Sequence, residues 1–223
     1  IAPTVSNAFI GISGATGTGG AYKIGDTVTA SWDNSAFGDD NSDTISAATV
    51  NFSQFGGGAA VAATNSSGTW TATYTIVAGA IDTTNRNISF SATDNAGNTT
   101  TTADTSNATL DNVAPFVSDV YIGISGGTGT AGAYIVGDTV TASWDNSAIG
   151  DDNSDTISAA TVDFSQFGGG AAVVASNNSG TWTATYTLVA GAIDASNLNV
   201  SVTATDNAGN TRTQADSSNA VVD

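Results

Sequence analysis

Apolar and polar residues alternate strictly along several stretches of the chain. In residues 69–76, tryptophan, alanine, tyrosine and isoleucine alternate with threonine, which is the period-two pattern of a β-strand with one buried and one solvated face. Residues 27–32 and 87–94 show the same alternation. Weaker alternation predicts further strands at residues 5–12, 48–55, 59–63 and 99–110, which gives about seven strands in the first half of the chain.

The second half of the chain repeats the first. Residues 1–111 align with residues 113–223 without a gap, at a constant offset of 112, and 85 of the 111 positions are identical. A unit of about 110 residues has the size of a single domain with its own core. We therefore predict two domains, 1–111 and 112–223, joined by a very short linker that leads to Pro115.

Each repeat contains two tryptophans within its predicted strands. Seven short strands separated by Gly and Asn/Asp turns, without helical periodicity, predict an all-β fold of two tandem immunoglobulin-like β-sandwich domains. Tryptophan at an inward strand position is usually core, so Trp32, Trp70, Trp144 and Trp182 are interpreted as packing residues. Tyr22 and Tyr134 are expected to anchor the loop between the first two strands.

The charge is strongly one-sided. The 20 acidic residues are all aspartate, only Lys23, Arg86 and Arg212 are basic, and the net charge is −17. Such a surface disfavours binding to nucleic acid or to anionic membranes, and no apolar run is long enough to predict membrane insertion. Because His and Cys are both absent, neither residue can act as a base or nucleophile near neutral pH, and no Asp-Thr-Gly motif occurs. We expect no enzyme and no small-molecule substrate.

Several motifs together resemble a known family. They are Gly25 to Trp32, the Asp-rich loop that follows, residues 69–75, Ala92 to Asn98, and the closing residues 110–115. The set is similar to the bacterial Ig-like tandem repeats of giant RTX-type and biofilm cell-surface adhesins. The resemblance implies a monomeric fragment of the extender region at the bacterial cell surface, outside the cell. Its partners would be neighbouring repeats, and Ca²⁺ in and between domains would make the array stiff.

The loop from Asp33 to Asp43 contains four carboxylates and two amides, and residues 145–155 repeat it. Ca²⁺ takes six to eight such oxygen ligands. In an Ig-like order this loop and the turn that begins at Asp94 share the end where the domain begins, and the second domain's copies are expected to converge with the linker. The complete set of predicted Ca²⁺ ligands is Asp26, Asp33, Asp39, Asp40, Asp43, Asp82, Asp94, Asp111, Asn112, Asp145, Asp151, Asp152, Asp155 and Asp206.

Alternative interpretations remain open for these features. The aspartates could be solvated turn residues, since Asp and Asn cap turns through their own side chains. A second function is a Ca²⁺-dependent module that binds glycans or surfaces, for which Phe37 is the only aromatic candidate beside the acidic loop. The threonine ranks of residues 69–75 could present an ice-binding array, but a single threonine strand on a twisted sheet is a narrow platform, and a half-exposed strand filled with a residue of good strand propensity is the simpler explanation.

Overall fold

The computed structural model describes residues 1–191 and 193–223. The chain divides into two compact units, Ile1–Val113 and Ala114–Asp223, called the first and the second domain below. The division lies two residues beyond the predicted boundary at 111/112. Asn112 belongs to the first domain because its backbone N–H donates to the carbonyl of Ile81, with an N–O distance of 2.8 Å.

The described part of each domain consists of ten strands and three short 3₁₀ turns. In the first domain the strands are β1 (Ile10–Ser13), β2 (Thr27–Asp33), β3 (Ile45–Asn51), β4 (Val61–Ala62), β5 (Thr64–Ser66), β6 (Thr69–Thr75), β7 (Asp82–Arg86), β8 (Ser89–Asp94), β9 (Thr99–Ala103) and β10 (Ala108–Asp111). In the second they are β11 (Ile122–Ser125), β12 (Thr139–Asp145), β13 (Ile157–Asp163), β14 (Val173–Val174), β15 (Ser176–Asn178), β16 (Thr181–Thr187), β17 (Ala195–Leu198), β18 (Ser201–Asp206), β19 (Thr211–Ala215) and β20 (Ala220–Val222).

Each domain is built from antiparallel sheets. In the first domain one four-stranded sheet has the order β1-β2-β6-β5 and the other the order β4-β3-β8-β9, and β10 pairs with β7 in a two-stranded ladder. The second domain repeats this as β11-β12-β16-β15, β14-β13-β18-β19 and β17-β20. The all-β prediction is confirmed, and the arrangement is consistent with a β-sandwich.

The inward faces of the two four-stranded sheets share one core in each domain. In the first domain Trp32 lies opposite Trp70 across β2 and β6, and Val50 lies opposite Phe90 across β3 and β8. These residues belong to a single buried cluster, and the second domain has an equivalent cluster. All four tryptophans are at most 7% exposed, which confirms them as packing residues. Burial of such rings contributes a large part of a small domain's hydrophobic stabilisation.

Several strands begin or end at other residues than the alternation pattern predicts, because short turns interrupt the extended backbone. The strand predicted at 5–12 begins only at Ile10, because Asn7–Phe9 forms a 3₁₀ turn. The strand predicted at 99–110 is two strands, separated where Asp104 turns the chain and Asn107 adopts a positive φ of 50°. The strands β5 and β7 were not predicted, because their mostly exposed polar residues show no apolar alternation.

Candidate functional site

The acidic loop between β2 and β3 is fastened to the core through Asp39. The Oδ2 atom of Asp39 accepts hydrogen bonds from the indole Nε1 of Trp32 and from the backbone N–H of Ser6, both at 2.7 Å. One carboxylate oxygen therefore joins the loop, the buried tryptophan and the segment that precedes β1. Charge-assisted hydrogen bonds of this length are among the stronger ones in proteins.

The second domain repeats this contact with one bond more. Asp151 accepts from Nε1 of Trp144 at 2.7 Å, and from the backbone N–H and the hydroxyl of Ser118 at 2.8 and 2.6 Å. Both oxygens of the Asp151 carboxylate are thus engaged. Asp39 and Asp151 act as structural acceptors in this arrangement.

Asp33, the last residue of β2, forms a turn with the first residues of the acidic loop. Asp33 accepts the backbone N–H of Ser35 at 2.8 Å, and this bond is the main reason why the pKa of Asp33 lies below its usual value. In the second domain, hydrogen bonds from Ser147 lower the pKa of Asp145 in the same way. Such short-range bonds define Asx turns, which form without any metal.

The turn between β8 and β9 is organised around Asp94. Its carboxylate accepts the backbone N–H groups of Ala96 and Asn98 and the side-chain amide of Asn98, at 2.8 to 2.9 Å. The Asn98 side chain is the main cause of the lowered pKa of Asp94. The turn lies beside the acidic loop, since Asn95 N–H donates to the carbonyl of Thr44, as an Ig-like strand order predicts.

Asp206 has the same role in the second domain. Three backbone N–H groups, those of Ala208, Gly209 and Asn210, donate to its Oδ1 at 2.7 to 3.0 Å, and the Asn210 side chain donates to Oδ2. Asp206 is 1% exposed. Its charge is therefore balanced by N–H donors of its own turn.

Other predicted ligands have fewer contacts. Asp40, Asp43 and Asp82 are exposed, as is Asp152. Asp40 and Asp152 have positive φ values of 46° and 44°, a conformation that Asp tolerates better than most residues. Asp155 is half-buried and accepts the backbone N–H of Thr156 at 2.7 Å.

At the other end of β2, Asp26 holds the connection between β1 and β2. Burial opposes ionisation of Asp26, but hydrogen bonds from Thr16 and Lys23 outweigh this effect and lower its pKa. The backbone N–H groups of Thr16 and Lys23 donate to Oδ2 at 2.9 and 3.0 Å, and the Thr16 hydroxyl donates to Oδ1. Asp138 repeats these contacts and was not among the predicted ligands.

Tyr22, as predicted, anchors this connection. It is 3% exposed and forms a parallel bridge with Leu110 of β10. Burial, together with the nearby carboxylates of Asp26 and Asp104, raises its pKa to about 12. Tyr134 is buried at the equivalent place, where the bridge is to Val222.

Sequence reasoning missed a further pair of buried carboxylates. Asp104 accepts the backbone N–H of Ile88 at 2.8 Å and that of Ser106 at 3.3 Å, and Asp216 repeats this with Val200 and Ser218. The Asp-x-Ser spacing after a threonine-rich strand is the available signal, because Asp in that position forms a turn with the residue two places on.

The last two predicted ligands of the first domain, Asp111 and Asn112, also form hydrogen bonds within that domain. Asp111 donates its N–H to the carbonyl of Tyr22, and its Oδ1 accepts the N–H of Val113, both at 2.9 Å. Asn112 is 3% exposed. Its side chain accepts the N–H of Ile81 at 2.7 Å and donates to the carbonyl of Val77 at 3.0 Å.

Within each domain, the carboxylates lie apart from one another rather than in a cluster. Among the described residues of either single domain, no three carboxylates bring oxygens within 4.8 Å of one another. Most of the buried ones accept N–H groups, which already compensate their charge. A Ca²⁺ site within one domain would therefore draw on the exposed aspartates together with amide, backbone or water oxygens. Calcium binding stays a prediction.

The comparisons with known proteins add no relative. A scan against models of known protein families finds no match, and a search of curated proteins finds none either. The part of the chain that the structure describes contains no helix long and apolar enough to cross a membrane. The function is therefore inferred from the residues and their geometry.

Proposed function

We propose that the chain is a structural spacer: two Ig-like repeats from the extender region of a large bacterial cell-surface adhesin, located outside the cell and stabilised by Ca²⁺. The observation that carries the proposal is the position of the two ends of each domain. A domain that serves only to set distance should receive the chain at one end and release it at the other.

The first domain has this arrangement. Its entering segment contacts the loop beyond the last residue of β2, where Thr4 exchanges two hydrogen bonds with Asn41 at 2.7 and 2.8 Å. Its last strand ends beside Tyr22 and Asp26, at the first residue of β2. The seven residues of β2 separate these ends by about 20 Å at roughly 3.4 Å per residue. The second domain repeats the contacts, with Phe116 bonded to Asn153.

The strand order supports the Ig-like part of the proposal. If the two-stranded ladder of β7 and β10 is set aside and the other eight strands are labelled in chain order, the first sheet reads A-B-E-D and the second C′-C-F-G, an order that matches an immunoglobulin-type sandwich. The cysteine pair of antibody domains is absent. Between the two sheets of the first domain, Trp32 of β2 packs against Phe90 of β8, with ring centroids 6.3 Å apart.

Repetition of the internal hydrogen bonds favours a passive role over a binding module. The acceptor roles of Asp26, Asp39 and Asp94 recur in the second domain with the same partner types. By contrast, the exposed side chain beside the acidic loop is Phe37 in one repeat and Ile149 in the other. A stacking platform for sugars needs the aromatic ring, so its loss in one repeat weighs against glycan recognition.

Calcium remains part of the proposal because of the charge distribution. A net charge of −17 with three basic residues leaves the exposed aspartates at each loop without cationic neighbours in the sequence. Carboxylates held near one another repel, and a divalent cation relieves that repulsion. The oxygen-rich loops provide ligands that suit Ca²⁺ better than Mg²⁺, which demands a tighter octahedron.

The first test of this proposal is calorimetric. Ca²⁺ that binds the folded loops and scarcely the unfolded chain should stabilise the protein by about 2.7 kcal/mol at a free concentration one hundred times Kd. Melting of the whole chain is measured in chelator, in Ca²⁺ and in Mg²⁺. We expect a higher melting temperature in Ca²⁺ only, and a smaller gain in the variant that combines Asp40→Asn with Asp43→Asn. Identical melting curves in chelator and in Ca²⁺ would remove calcium from the proposal.

A second measurement separates the spacer from the binding module. The labelled chain is applied to a glycan array and to whole cells, with Ca²⁺ and with chelator. A spacer should show no saturable binding in either condition. Saturable binding that Ca²⁺ supports and that Phe37→Ala abolishes would favour the binding module instead.

A further inference from the structure

The strand β9 forms one edge of its sheet. Within the described part of the chain it pairs with β8 alone, in a regular antiparallel register over all five of its residues. It is the longest edge strand of the first domain, since β1 has four residues, β5 three and β4 two. The strand contains neither a charged residue nor proline. Such an edge is a template for a further strand, because one row of its backbone groups has no partner.

The hydrogen bonds at the two ends of β9 identify the backbone groups that face outward. Asp94 N–H donates to the carbonyl of Asn98, and Asp104 N–H donates to the carbonyl of Ile88, both at 3.0 Å. Antiparallel residue pairs alternate between those that exchange hydrogen bonds and those that do not, so the even-numbered residues of β9 bond to β8. The backbone groups that point away from β8 belong to three exposed residues, Thr99, Thr101 and Ala103.

The equivalent edge of the second domain, on β19, is protected by two side chains. At the repeat offset of 112, Arg212 and Gln214 replace Thr100 and Thr102. The side-chain amide of Gln214 donates to the carbonyl of Ala215 at 3.0 Å, and it thereby occupies one of the outward acceptors of that edge. Arg212 places a charge on the same strand, which is a common means of preventing edge-to-edge pairing. The β9 edge has neither feature.

The two aspartates that flank β9 do not oppose the approach of another strand. Asp94 is 1% exposed and Asp104 is 2% exposed. Both carboxylates accept backbone N–H groups of their own domain, at 2.8 to 3.3 Å. These donors compensate the two negative charges. The net charge of −17 is therefore a long-range repulsion between two chains rather than a local barrier at the ends of this edge.

We propose that β9 is a dimerisation edge, which pairs antiparallel with β9 of a second copy of this chain. A two-fold axis through Thr101 places this residue opposite its counterpart and places Thr99 opposite Ala103. The outward N–H groups of each copy then donate to the outward carbonyls of the other, so that every outward group of the strand is paired. Threonine opposite threonine is a favourable cross-strand pair. This self-complementarity selects a second copy as the partner, because one strand supplies both halves of the interface.

The proposal concerns assembly and depends neither on the spacer role nor on calcium. It differs from the monomeric fragment that the family resemblance implies, and the measured mass distinguishes the two. Because a paired edge buries a small area, the association should be weak, with a Kd between about 1 and 100 µM. It should strengthen as the ionic strength rises, because salt screens the repulsion between two chains that each carry a net charge of −17.

The test combines sedimentation equilibrium of the whole chain in chelator, at concentrations up to about 1 mM, with amide hydrogen exchange measured by NMR. We expect a monomer–dimer equilibrium. As the dimer forms, exchange at Thr99, Thr101 and Ala103 should slow by at least about threefold, whereas Thr100 and Thr102, which already bond to β8, should change little. A chain that stays monomeric throughout would overturn the proposal, and so would a dimer in which the outward amides of β9 remain unprotected.

Two reciprocal exchanges between the domains provide matched variants. Thr100→Arg combined with Thr102→Gln gives β9 the side chains of the protected edge and should abolish the dimer. Arg212→Thr combined with Gln214→Thr opens the edge of the second domain and should extend the association beyond the dimer. Each new side chain already occurs at its position in the other domain, so both variants should keep a melting temperature close to that of the parent chain.

The outcomes of these variants are decisive in both directions. The added arginine lowers the net repulsion between two chains, so a loss of the dimer in the first variant cannot result from net charge. A dimer that persists there with unchanged Kd would contradict the assignment to β9, and unchanged association in the second variant would contradict the protective role of Arg212 and Gln214. Protection of the outward amides without a rise in mass would indicate an occupant other than a second copy, which also overturns the proposal.

Discussion

Removing the carboxylate of Asp39 tests whether it is a structural acceptor. Its Oδ2 accepts from the fully buried Trp32 and from Ser6, each at 2.7 Å. In Asp39→Ala the indole N–H is left in the core without its acceptor, which costs about 1 to 3 kcal/mol, and the bond to Ser6 is lost as well. We expect a loss near 3 kcal/mol in total, or a fall on the order of 10 °C in the melting temperature of the first domain.

Three further variants sharpen this prediction. Because both bonds reach the same oxygen, the carbonyl of Asp39→Asn can accept both, so that only the charge assistance is lost and the effect should be about 1 kcal/mol. Asp40→Asn is the matched control: the residue is exposed and has a positive φ that asparagine tolerates, so the change should stay within about 0.5 kcal/mol. Asp151→Ala should cost more than Asp39→Ala, because Ser118 adds a third bond.

The assay is urea unfolding followed by tryptophan fluorescence, with the indole N–H resonance of Trp32 observed by NMR. The measurements are made in chelator, so that no metal contributes, and are then repeated in Ca²⁺. If Asp39→Ala is as stable as Asp40→Asn under these conditions, the reasoning is refuted. A loss that appears only when Ca²⁺ is present would instead identify Asp39 as a metal ligand.

Two more predictions concern the connection between β1 and β2. Gly14→Ala should destabilise the first domain by more than about 2 kcal/mol, because a Cβ there would lie 2.0 Å from the carbonyl oxygen of Thr27 at a φ of +112°. Gly19→Ala is the control: its Cβ would meet no atom within 4 Å, so it should cost only about 1 kcal/mol for its positive φ. Equal losses of stability in the two variants, measured by urea unfolding, would contradict the steric argument. For Tyr22, burial and two nearby carboxylates raise the pKa in the folded state to about 12. The stability that this shift contributes is therefore complete below pH 10 and is lost as the pH rises toward 12. In Tyr22→Phe the free energy of unfolding should no longer fall over this pH range, and an unchanged alkaline slope in that variant would refute the assignment to Tyr22.

The hydrophobic pattern predicted the centre of the fold well. Strands such as β2, β6 and β8 have strict alternation, and burial of one face of a sheet fixes both their position and their register. The inward position of Trp32 follows from its two-residue spacing to Ala30 and Val28. The repeat offset then extends each prediction to the second domain.

Edge strands and buried aspartates could not be predicted in the same way. Strand β5 has only exposed polar residues, so its pairing with β6 depends on backbone hydrogen bonds that leave no apolar signal. The acidic pattern of the loop suggested ligands for a cation, but it cannot distinguish a carboxylate that accepts an indole N–H from one that faces solvent. Asp104 illustrates the same limit, since its partner Ile88 lies sixteen residues away.

The parallel bridge between Tyr22 and β10 has a mechanical consequence. The segment that leads to Tyr22 comes from the end where the chain enters the domain, and β10 leads to the end where it leaves. Tyr22 N–H donates to Thr109 and Asp111 N–H donates to Tyr22, both at 2.9 Å. A tension applied between the two ends draws these parallel segments past each other, so both hydrogen bonds stretch together. The bridge is thereby loaded in shear, and separating Tyr22 from β10 requires the two bonds to break together.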